Sequence, residues 1–149
     1  MLAFGIGHVL YITSMAIRFP GYEMNLLWSA LGSAAIVGVM FLVCVYAMKM
    51  QFGKFLIPSI AYAFLLCWFV ALSATYVKPA QGSASAGILL AGAILFVLSD
   101  MVLSMTYFSK PADYERKSML NPESRLMIIV NHATYYLAQF LIALSLLFI

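Results

Sequence analysis

The sequence predicts an all-α fold, a polytopic bundle of about five membrane-spanning helices. Hydrophobic residues make up 65% of its 149 residues and charged residues only 9%, which is far from the usage of soluble domains. The apolar residues fall into five runs near the length of about 20 residues that crosses a bilayer as a helix. These runs lack the alternation of barrel strands, so their backbone groups can be satisfied in lipid only by helices.

The first three helices are predicted at residues 1–18, 26–48 and 55–77. The first run lacks a basic start and a small-residue cleavage site, so we expect a retained helix rather than a secretory signal. Small residues recur every four positions in the second run, which permits close contact with a neighbouring helix. Pro58 falls in the first turn of the third helix, where a missing backbone N–H costs least.

The last two helices are predicted at residues 85–108 and 126–149, and the whole chain is expected to form one transmembrane domain. Gly87 and Ala91 repeat the small-residue spacing in the fourth helix and predict a close contact there. The polar stretch 109–125 is predicted to be a solvated loop whose Asn-Pro-Glu segment begins the last helix. A lid or a headgroup-binding loop at the membrane surface is the alternative.

The lysines and arginines lie in the breaks between apolar runs, so the net charge of +3 indicates topology rather than a nucleic-acid partner. Five crossings place most of them on one side, which favours that side as cytoplasmic in a multi-pass protein of the inner membrane. The first side holds Lys49, Lys54, Lys110, Arg116, Lys117 and Arg125, and the other holds Arg18 and Lys78.

Asp100 lies inside an otherwise apolar run, residues 87–108, about two thirds of the way along it. An Asp at a helix centre costs roughly 2.5 to 3.5 kcal/mol on insertion scales, so such residues usually face a bundle interior or a water-filled cavity. We therefore take Asp100 as the first candidate for function.

Helical spacing places further polar side chains on shared faces. His132, Tyr136 and Gln139 form one stripe on the last helix, and Ser104 follows Asp100 on the fourth. His132 lies near the start of its helix, which favours an interfacial role. Two histidines and one buried carboxylate on separate helices give no metal-ligand spacing, so no metal is predicted.

His8 and Tyr11 are neighbours on one face of the first helix. Because successive helices alternate in direction, these two residues fall at a depth similar to that of Asp100 and Gln139. We expect a single polar pocket to contain them. For His8, Tyr11 and Tyr136, a hydrogen-bonded contact between helices is the alternative.

Three segments carry a resemblance to a known family. Residues 92–103 and 134–142 look like the Phe-x-x-Ser-Asp and Tyr-Tyr-x-Ala-Gln segments of the YhhN family of membrane proteins, the lysoplasmalogenases. Residues 7–11 are similar to the family's Gly/Ala-His-x-x-Tyr segment. The resemblance therefore spans nearly the whole chain, and its paired motifs are moderately specific.

The resemblance implies a cofactor-free hydrolase that cleaves the vinyl ether bond of a lysophospholipid substrate, releasing a fatty aldehyde and a glycerophospho-headgroup. This cleavage begins with protonation of a carbon, and burial favours the protonated form of a carboxyl group, so Asp100 is the expected general acid. The expected catalytic partners of Asp100 are Tyr136, Gln139, His8 and Tyr11. The residues expected to support them are Ser99, Ser104 and His132. The phosphate is expected to be bound by Lys110, Arg116 and Arg125.

The resemblance also implies further helices upstream, with a Gly-Asp pair ahead of the first segment. We therefore expect the family's second aspartate to be absent from this chain. The remaining acids, Glu23, Asp113, Glu115 and Glu123, all fall in predicted loops.

Two other function classes remain open. A proton-coupled small transporter would use Asp100, His8 and His132 as a relay, although the sequence has no internal repeat and no helix broken by Gly or Pro. A non-catalytic lipid-binding bundle would bind its ligand without turnover.

Overall fold

A computed structural model describes residues 2–18, 23–47, 49–77, 84–110, 114–115, 121, 123–145 and 147. These residues form five α-helices and no strand. Four helices are long and apolar enough to cross a membrane, and the apolar part of the first helix is shorter. The predicted fold class, a polytopic helical bundle, is therefore confirmed, and the protein is an integral membrane protein. The helices are α1 (Leu2–Arg18), α2 (Glu23–Leu42), α3 (Leu56–Val77), α4 (Ala84–Phe108) and α5 (Arg125–Ser145).

The connection between α2 and α3 is compact and partly helical. Helix α2 passes into a π-helical turn, Val43–Ala47, and a 3-10 turn, Gly53–Phe55, leads into α3. Lys49 and Gly53 both have a positive φ, which lets the chain reverse; this conformation is unfavourable for lysine but not for glycine. The linker is thereby brought back onto the bundle instead of extending away from it.

The returning linker covers the end of α4. The backbone N–H of Gln51 donates to the carbonyl of Phe108 at 2.9 Å, which satisfies one of the free carbonyls at the end of that helix. Phe52 packs between Phe41 and Phe108, with ring centroids 5.1 and 4.6 Å away. We call Phe41, Phe52 and Phe108 the aromatic cap.

Helices α4 and α5 are antiparallel and make the most extensive helix contact in the bundle. Ser85 donates to the carbonyl of Ser145 at one end of the pair. Gly92 allows the close approach, because a Cβ there would lie 2.9 Å from Ile142 and 3.1 Å from the Ala138 carbonyl oxygen.

The predicted close contact at Gly87 and Ala91 is wrong. A Cβ on Gly87 would meet nothing within 4 Å, and Ala91 is exposed. The adjacent residue Gly92 faces α5 instead, because a helix advances by about 100° per residue and the contacting face lies one position beyond Ala91.

Helix α3 is central and contacts α1, α2 and α4. Trp68 on α3 donates to Ser29 on α2 at 3.0 Å. The largest fully buried apolar side chains, Phe69, Leu72 and Phe96, lie on α3 and α4. They fill the half of the bundle where α3 ends and α4 begins. The opposite half, next to the aromatic cap, is hollow.

Candidate functional site

The hollow half of the bundle contains a cavity of about 620 Å³. Ligand sites in proteins typically have volumes of about 300 to 1,000 Å³, so this one can hold a small amphiphile. Its walls differ in chemistry: α2 and the linker contribute apolar side chains, and α4 and α5 contribute most of the polar ones. Apolar lining residues include Met40, Phe41, Cys44, Phe52 and Phe55, and polar ones include Ser99, Asp100, Ser104, Asn131 and His132.

Asp100 lies in the wall of this cavity and is held from α3. The hydroxyl of Tyr62 donates to Asp100 Oδ2 at 2.5 Å, and among the described residues Tyr62 is the only hydrogen-bond partner of Asp100. The second carboxyl oxygen therefore has no protein partner in the described part of the chain. Asp100 lies eight residues before Phe108, a rise of about 12 Å, so the cavity reaches well below the aromatic cap.

Tyr62 was not predicted from the sequence. It lies in a nearly continuous apolar run, where a single tyrosine is an ordinary membrane-helix residue. The available signal is depth: because α3 and α4 run in opposite directions, Tyr62 falls at the level of Asp100.

His8 lies behind Tyr62 and does not line the cavity. It is only 1% exposed, and its ring makes edge-to-face contacts with Tyr11, Tyr62, Phe69 and Phe96 at centroid distances of 5.9, 6.2, 5.7 and 4.7 Å. Its Nδ1–H donates to the Phe4 carbonyl of its own helix at 2.8 Å, and Nε2 has no partner among the residues that the structure describes. The ring therefore supports Tyr62 from the side away from the cavity.

Tyr11 also lies outside the cavity lining, with its ring stacked on Phe69 at a centroid distance of 5.4 Å. Gln139 is partly buried and likewise does not line the cavity. The single pocket expected to contain both together with Asp100 is therefore not formed by these side chains.

Two side chains of the predicted α5 stripe do line the cavity. Tyr136 is 65% exposed, and its ring centroid lies 6.2 Å from that of His132. His132 is exposed as well, and its Nδ1–H donates to the carbonyl of Ile128 at 2.8 Å. Their exposure places these two residues at the rim of the cavity.

The two predicted supporting serines line the cavity, but their hydroxyls are already engaged. Ser99 donates to Asn131 Oδ1 at 2.9 Å, and Ser104 donates to the carbonyl of Met101 at 2.8 Å. Asn131, which was not predicted, is thereby held in the polar wall next to Asp100. The sequence offered one signal for it, a polar amide directly before His132.

Two of the three basic residues predicted to bind a headgroup, Lys110 and Arg125, lie outside the cavity lining. Among the described residues, no lysine or arginine lines it. Lys110 is partly buried two positions after the aromatic-cap residue Phe108, and Arg125 is exposed at the start of α5. Arg116 lies outside the described residues.

These features define a helical membrane protein that carries a buried acid in a cavity with one apolar and one polar wall. The family model of the YhhN family matches residues 1–146, nearly the whole chain. The chain therefore belongs to the YhhN family. Among curated proteins and among solved structures, none matches the sequence significantly.

Proposed function

We propose that the protein is a hydrolase that cleaves the vinyl ether bond of lysoplasmalogens, giving a fatty aldehyde and a glycerophospho-headgroup. The observation that carries the proposal is the Asp100–Tyr62 pair in the wall of the cavity. Membership of the YhhN family supports it, because this is the activity that the resemblance implies.

Asp100 has the chemistry that the first step needs. Its protonated carboxyl group transfers a proton to the alkenyl carbon, which forms a C–H bond and leaves an oxocarbenium ion. The carboxylate then takes a proton from water as the water oxygen bonds to the oxocarbenium carbon. The resulting hemiacetal breaks its C–O bond to release the aldehyde and the glycerol hydroxyl. One carboxyl group thus serves as acid and then as base.

Tyr62 stabilises the charged form of Asp100 that arises during the reaction. Its hydroxyl donates to Oδ2, so the anion formed by proton transfer already has one strong donor in place. The same bond fixes the orientation of the carboxyl group and leaves its other oxygen for the substrate.

The walls of the cavity orient the substrate. The headgroup lies toward the aromatic cap, where Lys110 and Arg125 follow at the surface with side chains long enough to extend toward a phosphate. The alkenyl chain runs the other way, past Tyr136 and into lipid. The excess of lysine and arginine at this end of the bundle supports a headgroup on the cytoplasmic side of the inner membrane.

The test measures aldehyde release by the purified chain in lipid nanodiscs supplied with an alkenyl lysolipid. Asp100→Asn should lower the rate at least about 100-fold while the thermal unfolding midpoint stays close to that of the wild type, because only the proton donor is lost. Glu123→Gln makes the same chemical change in an exposed loop and should leave the rate unchanged.

Absence of aldehyde from the wild type would overturn the proposal. Lipid binding without turnover would indicate a lipid-binding bundle instead. Proton flux into vesicles that stops in Asp100→Asn would indicate a transporter.

A further inference from the structure

A buried hydroxyl with no hydrogen-bond partner among the described residues lies in the cavity wall one helical turn from Tyr62. Ser59 is 6% exposed and lines the cavity, and its Oγ has no partner in the described part of the chain. Ser59 and Tyr62 are three residues apart on α3, so they share a face and their Cβ atoms lie about 5 to 6 Å apart.

Ser59 is the exception among the buried serines of the described residues. The others donate to their own helix or across to α5, and these are Ser29, Ser33, Ser73, Ser85, Ser99 and Ser145. Leaving a buried hydroxyl unsatisfied is costly, and such groups in native structures usually have a partner or bind a ligand. Ser59 is therefore free to bind a polar group of a molecule in the cavity.

The direction of α3 fixes where that group lies on the substrate. Tyr62 pairs with Asp100, and Gln51 pairs with Phe108 at the aromatic cap. Ser59 consequently falls between Asp100 and the cap, on the headgroup side of the reacting bond. A lysoplasmalogen carries a free hydroxyl on that side, on the middle glycerol carbon.

We infer that Ser59 binds the free middle hydroxyl of the lysolipid and so makes the site selective for lipids with one chain. This assignment rests on the proposed function and adds a specificity determinant to it. A site that hydrogen-bonds a substrate hydroxyl discriminates strongly against analogues that lack it, because its own polar group is then left unpaired. A lipid with a second acyl chain at that carbon has no hydroxyl to offer.

The test uses two saturated alkyl ether lysolipids, which have no vinyl ether to protonate: one with the middle hydroxyl and its 2-deoxy analogue. Their dissociation constants are measured by calorimetry with the chain in nanodiscs. The wild type should bind the hydroxyl form about tenfold more tightly. Ser59→Ala should remove this preference, and Ser59→Thr, which keeps a hydroxyl, should retain it.

Ser73→Ala is the matched control, since Ser73 is buried on the same helix with its hydroxyl bound to the Phe69 carbonyl. It should keep the wild-type preference. Equal affinity of the wild type for the two lipids overturns the assignment, and this outcome does not depend on whether any variant folds. An unchanged preference for the hydroxyl lipid in Ser59→Ala overturns it as well. If the wild type releases aldehyde from an alkenyl lysolipid, the proposed hydrolase function stands whatever the binding assay shows. If the wild type prefers the hydroxyl lipid but releases no aldehyde, the hydrolase function is rejected and the contact between Ser59 and the hydroxyl is retained.

Discussion

At the scale of single residues, the hydroxyl of Tyr62 is the most direct way to perturb Asp100. Tyr62→Phe keeps the ring that contacts His8 and removes the bond to Oδ2. We expect kcat for aldehyde release to fall about 100-fold, the usual effect of removing one donor from a developing anion. Tyr46→Phe, at a 75% exposed position outside the cavity, is the control and should leave kcat unchanged. An unchanged kcat in Tyr62→Phe would contradict this role.

The buried ring of His8 should matter for stability more than for chemistry. His8→Ala removes a ring enclosed by other aromatic side chains and should lower the free energy of unfolding by roughly 3 kcal/mol. His8→Phe retains the edge-to-face contacts, so thermal unfolding should shift less and aldehyde release should stay near the wild-type rate. A large loss of kcat in stable His8→Phe would show that Nε2 takes part in the reaction.

Asp100 could be predicted from the sequence, because inserting a carboxyl group into a membrane helix costs free energy whichever way the side chain faces. Tyr62 and Ser59 could not, because tyrosine and serine are tolerated in membrane helices and their spacing relates them only to their own helix. His8 contacts Tyr62 near the level of Asp100, but depth does not determine which way a side chain points. Gln139 is not at the expected depth, because Ser99 pairs with Asn131 and Gly92 packs on Ala138, which puts Gln139 about 12 Å from the level of Asp100. Contacts between helices determine which side chains line the cavity and which way each of them points.

At the scale of helices, Gly92 controls how closely α4 and α5 approach. Gly92→Ala would place a Cβ about 3 Å from backbone atoms of α5, which cannot give way as a side chain can. We expect a loss of about 1 to 3 kcal/mol in the free energy of unfolding, measured in detergent. Gly87→Ala meets open space and should be neutral or slightly stabilising. Equal unfolding midpoints for the two variants would show that the helices are not in contact at Gly92.

The sequence does not predict which face of each membrane helix contacts the other helices. In a soluble helix the polar side identifies the buried face, but a membrane helix is apolar on all sides because lipid covers what the protein does not. The small residues of α4 therefore predicted a close contact correctly in kind but at the wrong positions, Gly87 and Ala91 instead of Gly92.

At the scale of the whole molecule, the lysines and arginines predict orientation. In a variant with Cys44 and Cys67 replaced by alanine, a cysteine at Glu123 should react with an impermeant maleimide from the cytoplasmic side only. A cysteine at Val77 should react from the opposite side only. Detergent should make both sites reactive, which controls for buried thiols. The reverse labelling pattern would overturn the predicted orientation.

The sequence predicted the fold class because run length and hydrophobicity are sufficient to specify membrane helices. Five membrane-spanning helices are expected, and the described residues form five helices, of which four are long and apolar enough to cross a membrane and α1 has the shortest apolar stretch. The cavity was not predictable from the same properties, because an apolar side chain contributes equally to hydropathy whether it faces lipid, the core or a void.

The unequal filling of the bundle has a consequence for the surrounding bilayer. With the predicted orientation, we expect the tightly packed half to lie in the outer leaflet and the hollow half in the cytoplasmic leaflet, so that Asp100 is supplied from the cytoplasmic leaflet alone. A lysolipid in the outer leaflet would have to cross the bilayer before it could react. The two products would then separate, with the aldehyde remaining among the lipid chains and the headgroup diffusing into the cytosol.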